Sequence, residues 1–227
     1  ASHELRTPLT IIRAEIDVAL SDPDMSRDEL EEMGTAVNEA VDRSEHLIGS
    51  LLTLAQAEST PVQTYLDLAE ITSKEVDLTT SEADSLGLRL ELDLQPAPVV
   101  GERSLLSRMA GNLLENAVRH NIPDGWFSVK TGVAGDRAVL EVANSGPVVS
   151  SEDAGRLFER FYRPDKSRSR KTGGFGLGLS IVKSVATAHG GWVELDTPAT
   201  GGLFVRISLP VTRATPAKPP ADRESGS

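Results

Sequence analysis

A histidine stands beside a glutamate at His3-Glu4. Alone, such a pair reads as an exposed helix end, and whether it is a reactive site depends on what the other residues can do for it. Three further stretches carry chemistry. GGFGLGLS (173–180) places glycines at 173, 174, 176 and 178 ahead of a predicted helix. Backbone without side chains, together with the free N–H groups and positive dipole of a helix start, is suited to wrapping a phosphate. Leu179 stands where a dinucleotide fingerprint needs glycine and a P-loop needs lysine, so neither motif is present. A flexible surface loop is the bland alternative. NLLENAVRHN (112–121) sets Asn112, Asn116 and Arg119 on one helical face. Asn oxygens suit Mg²⁺, and the planar fork of Arg119 suits a phosphate; the alternative is an ordinary solvated face, at a cost in helix propensity. RLFERFYRPDKSRSRKTGG (156–174) is strongly basic, with Phe158, Phe161 and Tyr162 to anchor its start, and it leads directly into the glycines. It reads as a lid bearing cations for a polyphosphate.

The elements that must position these residues follow from periodicity. Leu5, Leu9, Ile12, Ile16 and Ala19, then Leu30, Met33, Val37, Ala40, Ser44, Leu47, Leu51 and Leu54, recur at alternating intervals of 3 and 4 on either side of the turn SDPD. The second helix, predicted over 26–57, is roughly 48 Å long. A hairpin so long and narrow cannot enclose its own seam, and Val41, Ile48, Leu52 and Ala55 add a second apolar row. Residues 1–58 are therefore expected to form a dimerisation hairpin, giving a four-helix bundle from two copies. After a linker at 59–63, strands are expected at 64–68, 88–94, 126–133, 137–144, 191–197 and 202–210, with helices over 69–85, 102–120 and 177–189. This is α+β, a mostly antiparallel sheet with helices on one face, over 64–211. The segment 212–227 has no apolar period and reads as a disordered tail.

Composition narrows the functions. The chain has 227 residues, no cysteine and a net charge of −11 from 23 basic and 34 acidic residues. Thiol chemistry and disulfides are excluded, and the acidic balance argues against nucleic acid or an anionic membrane as partner. No apolar run approaches the ~20 residues of a membrane span.

In this order the motifs resemble those of the catalytic core of a two-component sensor histidine kinase. SHELRTPLT is similar to the family's H-box, 112–121 to its N-box, 158–162 to its F-box and 174–178 to its second glycine box. The resemblance implies a dimeric helical hairpin followed by a Bergerat-type ATP-binding sandwich, and a cytoplasmic homodimer that uses ATP and Mg²⁺. It implies that His3 is the phosphoacceptor, Glu4 its base and Thr7 the residue that positions water for dephosphorylating the partner, a response-regulator receiver domain. Pro8 would kink the helix there. Asn116 becomes the principal Mg²⁺ ligand with Asn112 in support, and Arg119 and Arg163 the phosphate contacts. Gly146, Gly174, Gly176, Leu177 and Gly178 line the nucleotide, with Tyr162 and His120 as flanking residues for which core packing is the competing role. Because the family's phosphoacceptor helix starts well before its histidine, the chain is read as a fragment of a longer receptor.

Two departures bear on the pocket. In NSGPVV (144–149), Asn144 occupies the position of the family's adenine-reading Asp, and Val148 replaces a glycine. An Asn still accepts from an amino group, and exchanging a charge-assisted for a neutral bond costs about 1 kcal/mol, roughly five-fold in affinity. Val148 would be strained if its position required positive φ. Phe175, where a small residue is usual, would narrow the pocket or pack beneath the lid. Among the other histidines, His46 is expected to face solvent and His189 to favour a helix C-terminus as a cation. A degenerate nucleotide-binding scaffold is the alternative function, suggested by Asn144 and Val148. A gyrase- or chaperone-like ATPase is a third, which would lack a phosphoacceptor on a hairpin.

Overall fold

The computed structural model describes residues 2–22, 25–59, 63–164 and 175–212, with backbone alone for 2–5. Helix α1 (Ser2–Ser21) contains Pro8, and α2 (Arg27–Ala57) begins at a capping box in which Ser26 and Glu29 satisfy each other's backbone N–H groups. The short connection makes them antiparallel neighbours. Ala40, Leu47 and Leu54 of the expected seam are buried, whereas Ile48 and Leu52 of the second row stay 47% and 58% exposed within one chain. The expected tail beyond Thr212, most of the linker and the basic residues Lys166, Arg168, Arg170 and Lys171 lie outside the described residues, as does Gly174.

The remaining elements are β1 (Thr64–Asp67), α3 (Leu68–Ser85), β2 (Arg89–Leu94), β3 (Pro98–Gly101), α4 (Arg103–Arg119), β4 (Trp126–Ala134), β5 (Arg137–Asn144), α5 (Ser151–Arg156), α6 (Gly178–Ala188), β6 (Trp192–Asp196) and β7 (Leu203–Pro210). The main sheet has the order β2-β4-β5-β7-β6, antiparallel except for β2 against β4. Alternation along β5 and β7 buries Ala138, Leu140, Val142, Val205, Ile207 and Leu209, and α3, α4 and α6 cover that face. Strand β3 and helix α5 were not anticipated. β3 pairs with β1 in a separate ladder that brings Thr64 opposite Gly101. Among the described residues, no helix is long and apolar enough to cross a membrane.

Asp67 ties the small ladder to α3. One carboxylate oxygen accepts from the Ala69 N–H and from the Ala97 N–H, both at 2.9 Å. Replacing it with Ala removes a helix cap and strands a second donor, so Asp67→Ala should lower unfolding stability by about 1–2 kcal/mol. Denaturant titration checks this; an unchanged midpoint would contradict it.

Candidate functional site

The site is assembled around the polar face of α4. Its opposite face buries Leu105, Leu106, Met109, Ala110, Leu113, Leu114, Ala117 and Val118, which leaves Asn112, Asn116 and Arg119 directed away from the sheet. Asn112 is itself buried, and its Nδ2 donates to the Arg108 carbonyl at 2.7 Å. Its Oδ1 faces the start of α6, where a Cβ on Gly178 would sit 3.1 Å away. A glycine at 178 is what lets Asn112 and the α6 N-terminus meet. Leu177, the N-cap of α6, provides no side-chain cap, so the first N–H groups of this helix keep no side-chain partner. Asn116 and Arg119, one and two turns beyond Asn112, are half-buried and make no side-chain hydrogen bond or ion pair among the described residues.

The end of β5 closes a second side. Asn144 is buried, and Gly146 backs onto the His120 carbonyl, which would lie 2.7 Å from a Cβ there. The turn before β7, whose part in the site was not foreseen, supports this loop: the Gly202 N–H donates to the Pro147 carbonyl at 3.1 Å. Its adjacent glycines Gly201 and Gly202 were the available signal. Val148 is exposed and is not among the residues with positive φ, so the anticipated strain does not arise.

The third side joins the aromatic segment to the glycine stretch. The Phe161 N–H donates to the Gly176 carbonyl at 2.9 Å, and both residues are left-handed, with φ of 66° and 68°. Phe158 and Phe161 pack on the core. Tyr162 turns its hydroxyl to Asp153 of α5, while the Arg156 guanidinium lies 4.1 Å over its ring. Its described contacts are thus to α5, and they secure the segment preceding Arg163. Arg163 approaches Gly176 and, with Arg119, adds positive field at His120. His120 keeps a solvent-facing edge, yet protein atoms crowd its imidazole. Desolvation first, then Arg119 and Arg163, hold it below the usual histidine range.

Two histidines differ from expectation. His46 does not simply face solvent. It is half-buried where α2 meets α4 and α6, with its ring stacked on Phe175 at 6.5 Å and 21°. Phe175 is thereby turned to α2. Desolvation pushes the His46 imidazole down, Arg119 and Arg108 add to that, and Glu115 opposes it. His189 ends α6 with both ring nitrogens engaged by backbone rather than left to the helix dipole. The Glu102 N–H donates to its Nε2 at 3.1 Å and its Nδ1 lies 2.8 Å from the Val185 carbonyl. It fastens the end of α6 to the start of α4. Residues that are 46 and 175 positions into the chain, or 102 and 189, meet only through the fold, and no local pattern announces either pair.

His3 lies in the first turns of α1, with Thr7 one turn further on and exposed. His3 precedes the end of α1 by 18 residues, so an equal rise along the antiparallel α2 from Arg27 reaches about residue 45. That is the level at which His46 meets Phe175. A cleft of about 220 Å³ between α3 and α4 includes Glu75, Ser107, Arg108, Asn112 and Glu115. A larger hollow, about 540 Å³ around Asp136 and Arg137, lies at the other end of β5 and contains none of the site residues.

Comparison with known proteins fits this arrangement. Residues 101–213 match the family described as histidine kinase-, DNA gyrase B-, and HSP90-like ATPase, and residues 1–60 match the His Kinase A (phospho-acceptor) domain. The chain belongs to the sensor histidine kinases and has the catalytic core of that family. Sensor protein CutS of Streptomyces coelicolor is 43% identical over 213 residues, covering 93% of this chain and 51% of CutS. Sensor histidine kinase CusS of Escherichia coli K12 is 35% identical over 212 residues, 92% of this chain and 44% of CusS. The chain thus spans about half the length of the curated relatives it matches. Histidine kinase AdeS of Acinetobacter baumannii shares the fold, with a TM-score of 0.74 at 24% identity over 93% of this chain and 98% of AdeS. The mycobacterial sensor histidine kinase MprB has a TM-score of 0.58 at 29% identity, over 66% of this chain and 97% of its own.

The lowered histidines fix a sign for pH. A folded-state pKa below the unfolded value means that the native state takes up fewer protons, so this contribution is complete above about pH 6.5 and is lost as pH falls through the folded pKa. The melting temperature should therefore fall more between pH 7.5 and 5.5 in the native chain than in His46→Gln. Equal falls would contradict the burial of a neutral His46.

Proposed function

We propose that this chain autophosphorylates His3 from ATP and passes the phosphoryl group to an aspartate of a response-regulator receiver domain, as half of a homodimer formed through residues 1–58. The observation that carries this reading is the docking level: the glycine stretch meets α2 through Phe175 at the height along the hairpin that corresponds to His3. The use of ATP is the reason to place the reaction in the cytoplasm. The exposed rows containing Leu9, Ile16, Ile48 and Leu52 support the dimer, because a bundle would cover them.

In this mechanism the His3 ring nitrogen bonds to the γ-phosphorus as the bond to the bridging oxygen breaks and ADP leaves. Glu4 accepts a hydrogen bond from the other ring N–H, stabilising the positive charge that develops on the imidazole. The first N–H groups of α6, with Arg119 and Arg163, hold the phosphates, and Asn144 accepts from the base. The donor set fits Mg²⁺: Asn116 offers a neutral oxygen with no hydrogen-bond partner among the described residues, and Asn112 stands beside it. When bound, that ion neutralises charge accumulating on the phosphates. Thr7 orients the water that dephosphorylates the regulator.

Incubation with γ-labelled ATP and Mg²⁺ tests the reading. Acid-labile label should appear on the native chain and vanish from His3→Gln, with at least about a hundredfold loss in Asn116→Ala, in line with loss of a metal ligand. Label that persists in His3→Gln would contradict it.

A further inference from the structure

Asn144 stands at the end of β5, between Phe127 and Leu203, and only 6% of its surface is exposed. Its Nδ2 donates to the Ser145 carbonyl at 2.7 Å. Turning the amide over would set one acceptor oxygen against another at that distance, so the carbonyl fixes which end of the amide is which. Oδ1 is then left with no hydrogen bond among the described residues. It is not sealed away either, since the fully buried unpaired side-chain atom among those residues is Thr72 Oγ1. The neutral amide consequently presents Oδ1 as an acceptor in a fixed direction, with one Nδ2 hydrogen held by the Ser145 carbonyl and the second beside it.

The Ser145 carbonyl can do this only if Ser145 itself is held, and hydrogen bonds to Trp126 and Asn121 hold it. Its N–H donates to the Trp126 carbonyl at 2.9 Å, its Oγ accepts from the Trp126 N–H at 2.8 Å, and its Oγ donates to Asn121 Oδ1 at 2.6 Å. Asn121 is fastened in turn by its Nδ2, which donates to the carbonyls of Ala117 and Trp126, both at 3.0 Å. Gly125 leaves the room for this junction, because a Cβ there would lie 2.4 Å from both Asn121 Oδ1 and Ser145 Oγ. Asn121 follows directly on α4, the helix that carries Asn116 and Arg119. The Ser145–Asn121 bond thus connects the end of the site that reads a base to the helix that would hold phosphates.

We propose that Ser145 is a positioning residue for nucleobase selection: by fixing the Asn144 amide and tying it to Asn121, it makes the site accept a 6-amino purine and reject a 6-oxo purine. An exocyclic amino group donates to the fixed Oδ1. A carbonyl at the same place meets acceptor with acceptor, and the amide cannot turn over to set Nδ2 where Oδ1 stands. A free Asn would lack this discrimination, because either end of its amide would serve. The inference rests on the nucleotide reading above and goes further, to the residue that enforces the choice of purine.

The test is calorimetric titration of the full chain with ATP and with GTP, each with Mg²⁺. The native chain should bind ATP at least about tenfold tighter than GTP. Ser145→Ala should weaken ATP binding and bring the two affinities to within about threefold, and Ser145→Thr, which keeps the hydroxyl, should restore the preference. A merely structural role would weaken both nucleotides alike and leave their ratio intact. Asn121→Ala removes the same bond from the other side and carries the test if Ser145→Ala does not fold. A native chain that binds both nucleotides equally, or variants that keep the native ratio, would overturn the inference while leaving the ATP reading standing. A native chain that binds neither would overturn the ATP reading and the inference with it.

Discussion

Helix α4 must bury one face against a twisted sheet, and that packing is what the site depends on. Eight apolar side chains from Leu105 to Val118 are buried among α3, α6 and strand β5, and their removal from water is the dominant local stabilisation. Once they are packed, the helix has no rotational freedom left. Asn112, Asn116 and Arg119 then project from the other face in fixed order. Everything else in the site is placed against that row: the α6 start by Asn112 and Gly178, the end of β5 by Asn121 and Ser145, and the α2 surface by Arg108, Glu115 and Arg119 around His46.

The same constraint explains how a polar pocket persists beside a dry core. The buried polar groups at its edge are paired with backbone: Asn112 with the Arg108 carbonyl, Asn144 with the Ser145 carbonyl and Ser180 with the Leu177 carbonyl. Asn116 and Arg119 lie further out, half-buried, where they can remain available to an anion and its counter-ion. Phe161, a bulky residue at positive φ, is held by its N–H bond to Gly176 and by core packing.

How much of this was legible in the sequence follows from the range of the interactions. The hairpin, α3, α4, α6 and the longer strands are set by apolar periods that extend over many residues, and their limits fell within a residue or two. β3 is a four-residue edge that starts with Pro98, and α5 has six residues without an apolar stripe, so neither left a periodic trace. In the site, Asn116 and the glycines stood out because residue type and local spacing are sufficient to mark them. His46 was misread because its surroundings come from Phe175 and α4, and His189 because its partner Glu102 is distant in sequence. The family resemblance supplied the roles of His3 and Glu4, which spacing alone does not assign.

The central claim is that α4, the end of β5 and the start of α6 form one nucleotide site. Amide hydrogen exchange with and without a non-hydrolysable ATP analogue and Mg²⁺ tests it most directly. The account predicts protection concentrated in three separated stretches, 116–121, 144–147 and 177–181, with little change in β1 and β3. Protection confined to one of the three stretches, or appearing around Asp136 and Arg137 instead, would contradict it.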